Sequence, residues 1–241
     1  MLHRYVLRTG SVKRTLLLTV IGAVTLGATT GAAVSAPVTA AHHHHHRGKF
    51  ECKAIGADVF GTKVAVANQK FMPCYTKHGR VDKAGRSLSL VKLGVVTTNT
   101  RLKGHRVVKA KKTKGTAGAR TAKVVVGLSG KFGKVGAIQI GAATSNAADT
   151  CVSKGGHLVV KQTHNSNVAY IKTNGKKTPI GNKYEKISLG ALGTIYLNRV
   201  LKHGNKITVR AVEIDLGGKT KPSIILAQSQ VSYTGNPCAK R

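Results

Sequence analysis

Residues 194–200 (TIYLNRV), Lys206–Leu216 (KITVRAVEIDL) and residues 223–233 (SIILAQSQVSY) decide the fold. Each stretch is rich in Val, Ile, Leu, Thr and Tyr. Turn signals separate them: Lys202-His203-Gly204-Asn205 after the first, Gly217-Gly218 after the second. Apolar runs of this length between such turns read as antiparallel strands. The middle stretch carries a detail. Ile207, Val209 and Ala211 share one parity, whereas Val212, Ile214 and Leu216 share the other. A one-residue parity switch predicts a β-bulge at Ala211–Val212, or a strand that changes its partner face.

The same texture extends back to Phe50. Val64, Val66 and Asn68 alternate with Ala65 and Ala67, and residues 87–98 (SLSLVKLGVVTT) read as one strand or two. Val124, Val126 and Leu128 share a face within residues 123–128, as do Ile138 and Ile140 within 136–142. Residues 158–162 and 168–172 are read as strands flanking a polar turn, His164-Asn165-Ser166-Asn167. Asn174-Gly175 signals a hairpin. Nothing after residue 40 shows helical periodicity. The expected fold is all-β, an antiparallel β-sandwich or partly closed barrel, with an N-terminal signal helix.

That N-terminal segment reads as an address. Arg4, Arg8, Lys13 and Arg14 precede an apolar run over residues 15–26, and Val38-Thr39-Ala40 offers a small-x-small cleavage pattern. These are the parts of a secretory signal peptide, with cleavage expected after Ala40. The run is short for a membrane span and is diluted by Gly and Thr. The expected organisation is a signal peptide (1–40), a His-rich flexible tail (41–49), one disulfide-pinned β domain (50–238) and a short C-terminal tail (239–241). No transmembrane segment is expected in the mature chain.

Cysteine usage fits export. Cys52, Cys74, Cys151 and Cys238 are four in number, which allows three pairings of two disulfides. The preferred pairing is Cys52–Cys74, closing a short N-terminal loop, with Cys151–Cys238 tying the chain end to the middle of the domain. No Cys-x-x-Cys pair suggests zinc. His42, His43, His44, His45 and His46 form a run whose neutral imidazoles could capture a transition metal, although a fluctuating tail imposes no geometry.

The C-terminal half carries a resemblance. Asn174-Gly175, Thr178-Pro179-Ile180, residues 186–198 (KISLGALGTIYLN), 207–214 (ITVRAVEI) and 224–229 (IILAQS) follow one another in a recognisable order. The order resembles that of the secreted actinobacterial proteins called choice-of-anchor P, over residues 90–234. The shared pattern is a Leu-Asn strand, a Thr-Val-x-Ala-hydrophobic strand, and a strand ending in Ala-x-Ser. Here Gly190-Ala191-Leu192-Gly193 replaces the family's usual turn, and Arg199 follows Asn198 where the family prefers Glu. The resemblance implies an extracellular β domain with no catalytic residues to carry over. The chain ends at Pro237-Cys238-Ala239-Lys240-Arg241, with no sorting motif and no apolar tail. The expectation is therefore a released protein, or one held to the wall by charge.

Charge is the strongest compositional signal. The 241 residues hold 40 Lys and Arg against seven Asp and Glu, a net +33. The signal segment contains four of the basic residues and no acid, so 36 basic residues against seven acids leave +29. Such a field attracts polyanions. No acid lies between Asp82 and Asp149, and the densest basic stretch is residues 109–115. Arg101, Lys103, Arg106, Lys109, Lys111, Lys112 and Lys114 form the candidate polyanion-binding set, able to bind phosphate-rich polymers by counterion release. The expected partners are anionic polymers such as teichoic acid, acidic glycan or extracellular DNA, bound without sequence reading. The four Phe and six Tyr are scattered, so no base-stacking platform is expected.

An enzyme is not expected. Neither a Gly-x-Ser-x-Gly elbow nor a phosphate-binding Gly-rich loop occurs, and no cofactor is implied. His78, His105, His157, His164 and His203 are isolated and mostly assigned to turns. Glu213 and Asp215 share a strand face and are the only carboxylate pair; they read as a solvated face balancing nearby lysines, with a glycan hydrolase as the catalytic alternative. The reading is a secreted, cationic, non-catalytic β domain that binds anionic wall or surface polymers. The alternative is a cationic effector acting on anionic membranes.

Overall fold

The computed structural model describes residues 48–71, 73–74, 80–88, 90–103, 113–127, 136–217 and 223–239. The expected signal helix and His42–His46 lie outside these residues. Among the described residues there is no α-helix; two antiparallel sheets form a sandwich, and one of them curls toward a half-barrel.

The first sheet has the order β13 (Glu185–Ser188), β14 (Gly193–His203), β15 (Lys206–Leu216), β16 (Ile224–Thr234), β1 (Lys49–Val59) and β2 (Thr62–Ala67). The N-terminal strand thus lies between the C-terminal strand and β2. A single 3-10 turn, Gly190–Leu192, precedes β14.

The second sheet is a meander. Its segments are β3 (Arg80–Lys83), β4 (Arg86–Leu88), β5 (Val91–Leu93), β6 (Val96–Lys103), β7 (Lys114–Thr121), β8 (Val124–Val126), β9 (Ile138–Ile140), β10 (Ala143–Lys154), β11 (His157–Thr173) and β12 (Lys176–Gly181). Most of these short segments are halves of long strands. Lys83 faces Val96 and Arg86 faces Leu93, so β3–β4 and β5–β6 pair in one register. Val96 faces Thr121 while Leu93 faces Val124, which joins β7 to β8. Thr121 faces Ala143 while Val124 faces Ile140, which joins β9 to β10.

Along one line of this sheet the burial pattern of four strands shifts. Buried residues step from Leu93 to Val96, Thr121 to Val124, Ile140 to Ala143, and Val168 to Ile171. A step of three reverses the period-two alternation of a strand. The sheet therefore turns a corner there, and its far end curls over the core. Small residues permit the bend. A Cβ on Gly94 would lie 2.8 Å from the Lys123 carbonyl oxygen and 2.9 Å from the Ala122 Cβ.

The first sheet has a crease of its own. Register pairs flank, in order across five strands, Asn198, Ala211, Ala227, Gly56 and Ala65. Every second strand along that row has a left-handed residue: Asn198 at φ 54°, Ala227 at 49° and Ala65 at 53°. The buried set switches parity across the row, from Ile224 and Leu226 to Ser229 and Val231 on β16. The expected bulge at Ala211–Val212 is corrected accordingly. The parity switch is there, but Arg210–Gln228 and Val212–Leu226 keep one register, so no residue is inserted. Left-handed residues on the flanking strands turn all five strands together. Asn tolerates that conformation, whereas Ala adopts it at a cost of about 1 kcal/mol.

The two creases meet. The Thr121 hydroxyl donates to the Gly56 carbonyl oxygen (2.6 Å), fully inside the sandwich. A Cβ on Gly56 would fall inside the Val96 side chain. The core is a single cluster, and Phe50 is the buried Phe among the described residues. Large buried aliphatics occupy the curled end: Val91, Val124, Val126, Ile138 and Ile140. The flat half carries Thr98, Thr100, Ala117, Ala119, Ser145 and Ala147 inward, which lets the sheets approach closely.

Both disulfides pair as preferred, Cys52 with Cys74 and Cys151 with Cys238. The second ties β10 to the segment after β16, joining one sheet to the other. Asn174-Gly175 forms the expected hairpin, with φ 50° and 79° and Thr173 opposite Lys176. The polar turn expected at His164–Asn167 is wrong: β11 runs unbroken through it and pairs with β10 at every position. Asn165 and Asn167 face outward on this strand, while Ser166 between them is buried.

Replacing Gly56 with Ala is expected to cost about 2–3 kcal/mol by overpacking. Gly136→Ala, where the added methyl meets open space, serves as the control and should change little. Thr121→Val should cost about 1–2 kcal/mol, because it strands a buried carbonyl. Urea titration of the three variants measures all of this.

Candidate functional site

The outward face of the flat half of the second sheet carries a group of cations. Register places Lys103 opposite Lys114, Lys114 opposite Thr150, and Thr150 opposite Lys161. The next outward row is Arg101, Thr116, Ala148 and Thr163, and beyond the middle of the face Thr97 sits opposite Arg120. Arg101, Lys103, Arg120 and Lys161 are exposed and Lys114 is half-buried. Adjacent strands lie about 4.8 Å apart, so Lys103 and Lys114 are neighbours. Like charges directly opposite each other destabilise a sheet. Stability therefore does not explain the pair.

Acids do little to neutralise this face. Asp82 is held by Arg80 Nε at 2.8 Å at the sheet edge. Asp149, on β10, points the other way and is fully buried. Of the seven residues in the candidate set, Arg101, Lys103 and Lys114 are brought to this face. Arg106, Lys109, Lys111 and Lys112 belong to the connection 104–112, outside the described residues. Lys161 joins the face through register, a link that linear spacing does not display.

A second cationic group lies on the first sheet. Lys53, Lys63 and Lys206 are close enough that the Lys53 ammonium is pushed down, first by burial and then by its two lysine neighbours. The Lys206 ammonium sits 5.1 Å from the Phe71 ring centre. Neither grouping was visible in the sequence.

Glu213 and Asp215 need correction. The Glu213 side chain is 3% exposed, so it is not solvated. Its partners are arginines, not lysines: Arg199 Nη1 at 2.6 Å and Arg210 Nη1 at 2.9 Å, one to each carboxylate oxygen. Arg210 Nε also donates to Gln228 Oε1 at 2.8 Å, and Arg199 stacks 4.6 Å from the Tyr196 ring centre. Arg199 thus has a structural task, closing an ion triad on the carboxylate of the neighbouring strand. Asp215 beside it is shifted upward by burial and by the Glu213 charge.

The histidines also differ from expectation. His157, His164 and His203 lie in strands β11 and β14 and are exposed, while His78 and His105 lie outside the described residues. Among the described residues, no group of three His, Cys, Asp or Glu is placed to hold a metal ion. Nor, among them, is any helix long and apolar enough to cross a membrane. Family models, curated proteins and solved structures contain no match to the chain.

One buried acid makes the domain sensitive to pH. Asp149 Oδ1 accepts from Gln162 Nε2 at 3.0 Å, and Gln162 also donates to the Asn205 carbonyl at 2.9 Å. Among the described residues Asp149 Oδ2 has no hydrogen-bond partner. Burial pushes this carboxyl up to about 6, against the opposing pull of the Gln162 bond. A carboxyl raised in the folded state binds its proton more tightly there than in the unfolded chain. Its stabilising effect is present at low pH and is lost as pH rises through about 6. Asp149→Asn should therefore stabilise the domain above pH 7 by about 3 kcal/mol and lose that advantage near pH 4. Thermal melts of both proteins across this range check the sign.

Proposed function

We propose that the chain is a secreted, non-catalytic domain that holds anionic polymers of the cell exterior by charge, through the outward face of the second sheet. The observation that carries this reading is the row Lys103, Lys114, Thr150 and Lys161, with two lysines set directly against each other. Such a placement opposes folding and favours a partner that supplies negative charge. In the sequence Lys103 is followed by the basic connection 104–112, which lies outside the described residues and holds the other four candidate cations. Export is supported by the signal-like N-terminus together with two disulfides, which persist in oxidising surroundings. Glu213, the acid a hydrolase would need, is engaged on both oxygens by arginine.

Binding through released counterions weakens with salt. The association constant for inorganic polyphosphate should fall linearly on a log–log plot against salt. Lys103→Gln, Lys114→Gln and Lys161→Gln together should reduce the slope by about two, at roughly 0.7 for each phosphate that the chain ceases to neutralise. Fluorescence anisotropy with labelled polyphosphate measures both. Retention that persists in molar salt, or a slope indifferent to the three substitutions, would remove the charge mechanism from this face.

A further inference from the structure

Beside the lysine row the same face carries a different kind of surface. Asn99, Gly118, Asn146 and Asn165 are direct register partners across β6, β7, β10 and β11. They make a straight row about 14 Å long, three strand spacings. Gly118 leaves a notch in its middle. A Cβ there would lie 2.8 Å from Asn99 Oδ1 and 2.8 Å from Asn146 Oδ1, so both amides lean over the missing side chain. Among the described residues these three asparagine side chains make no hydrogen bond, although all three are exposed. A groove of about 380 Å³ is lined by the three asparagines with Lys114, Thr116, Thr163 and His164, while Gly118 lies buried beneath the two amides. No acid and no Phe, Tyr or Trp lines the groove.

We infer that this groove binds an anionic saccharide chain lying across the strands, with its ring hydroxyls on the asparagine row and its acidic groups toward Lys103, Lys114 and Lys161. The inference rests on the polyanion reading and specifies its ligand. An amide presents a donor and an acceptor side by side, whichever way round it is turned. Sugar hydroxyls match both. A polyphosphate chain offers acceptors alone and leaves the amide oxygens unmatched. Single-stranded nucleic acid would want a platform of stacking rings, and the groove supplies only the His164 imidazole. Gly118 lets the Asn99 and Asn146 amides settle side by side, because any side chain there would push them apart. The groove volume falls within the range of small-ligand clefts.

The test compares two probes on the whole chain, oligogalacturonate and inorganic polyphosphate, by isothermal titration calorimetry. Asn99→Ala with Asn146→Ala should weaken oligogalacturonate binding roughly tenfold, the loss of two neutral hydrogen-bonding groups. Polyphosphate binding should be unchanged. Gly118→Val should block the first probe and spare the second. Asn165→Ala, a single exposed change at the end of the row, gives an independent reading if the filled notch disturbs folding. Polyphosphate binding without oligogalacturonate binding, or equal effects of the asparagine changes on both probes, would overturn the saccharide inference and leave the charge reading standing. Failure of the wild-type chain to bind either probe would overturn both.

Discussion

A hydroxyl from one sheet and a carbonyl from the other hold the two creases of this domain together. Thr121 donates to Gly56 across the interior, beside a glycine whose missing side chain is replaced by Val96. Both contacts fall where strands reverse which of their residues face inward. In the first sheet the reversal is made by left-handed residues on alternate strands. In the second it is made by a three-residue step at a corner lined with small residues. Neither crease is cheap, since each departs from ideal strand geometry. Stacked on one another, they gather buried Ile and Val from both halves into a single core. The carbonyl that the crease turns inward finds its partner there, as buried backbone polar groups must.

This geometry sets where the charge goes. The flat half of the second sheet packs with Ala, Ser and Thr inward, so its outward positions are free to carry Arg, Lys, Asn and Thr in cross-strand rows. A chain with so large a net charge repels itself when compact. The inter-sheet disulfide offsets that repulsion by limiting the unfolded state. Glu213 offsets it locally by joining two arginines of adjacent strands. No comparable acid stands among the described lysines of the β6–β7–β10–β11 face, which is the contrast on which the functional reading rests.

Much of the fold was legible. The bounds of β15 coincide with the stretch read from alternation, the Asn174-Gly175 hairpin follows from turn chemistry, and the disulfides take the preferred one of the three pairings that four cysteines allow. What escaped has a common cause: pairing between strands is invisible along one strand. Ala211 showed a parity switch that looked like a bulge, because the compensating turns at Ala227 and Asn198 lie on its neighbours. His164–Asn167 looked like a turn because polar residues cluster there, yet the strand continues, with Asn165 ending an asparagine row and Ser166 buried. Asn198, Ala211 and Ala227 all sit on the crease line. Of the candidate set, Arg101, Lys103 and Lys114 lie on the outward face of the second sheet, and register adds Lys161. Gly118 could not be singled out, since a glycine among many turn glycines becomes a notch only when its cross-strand neighbours are known.

The most direct measurement is amide chemical-shift mapping of the isotope-labelled chain during titration with a soluble polyanion. The account predicts perturbations concentrated on the outward residues of β6, β7, β10 and β11, with the interior crease residues Gly56, Val96 and Thr121 unmoved. Shifts spread evenly over both sheets, or centred on the Arg199–Glu213–Arg210 face, would contradict it.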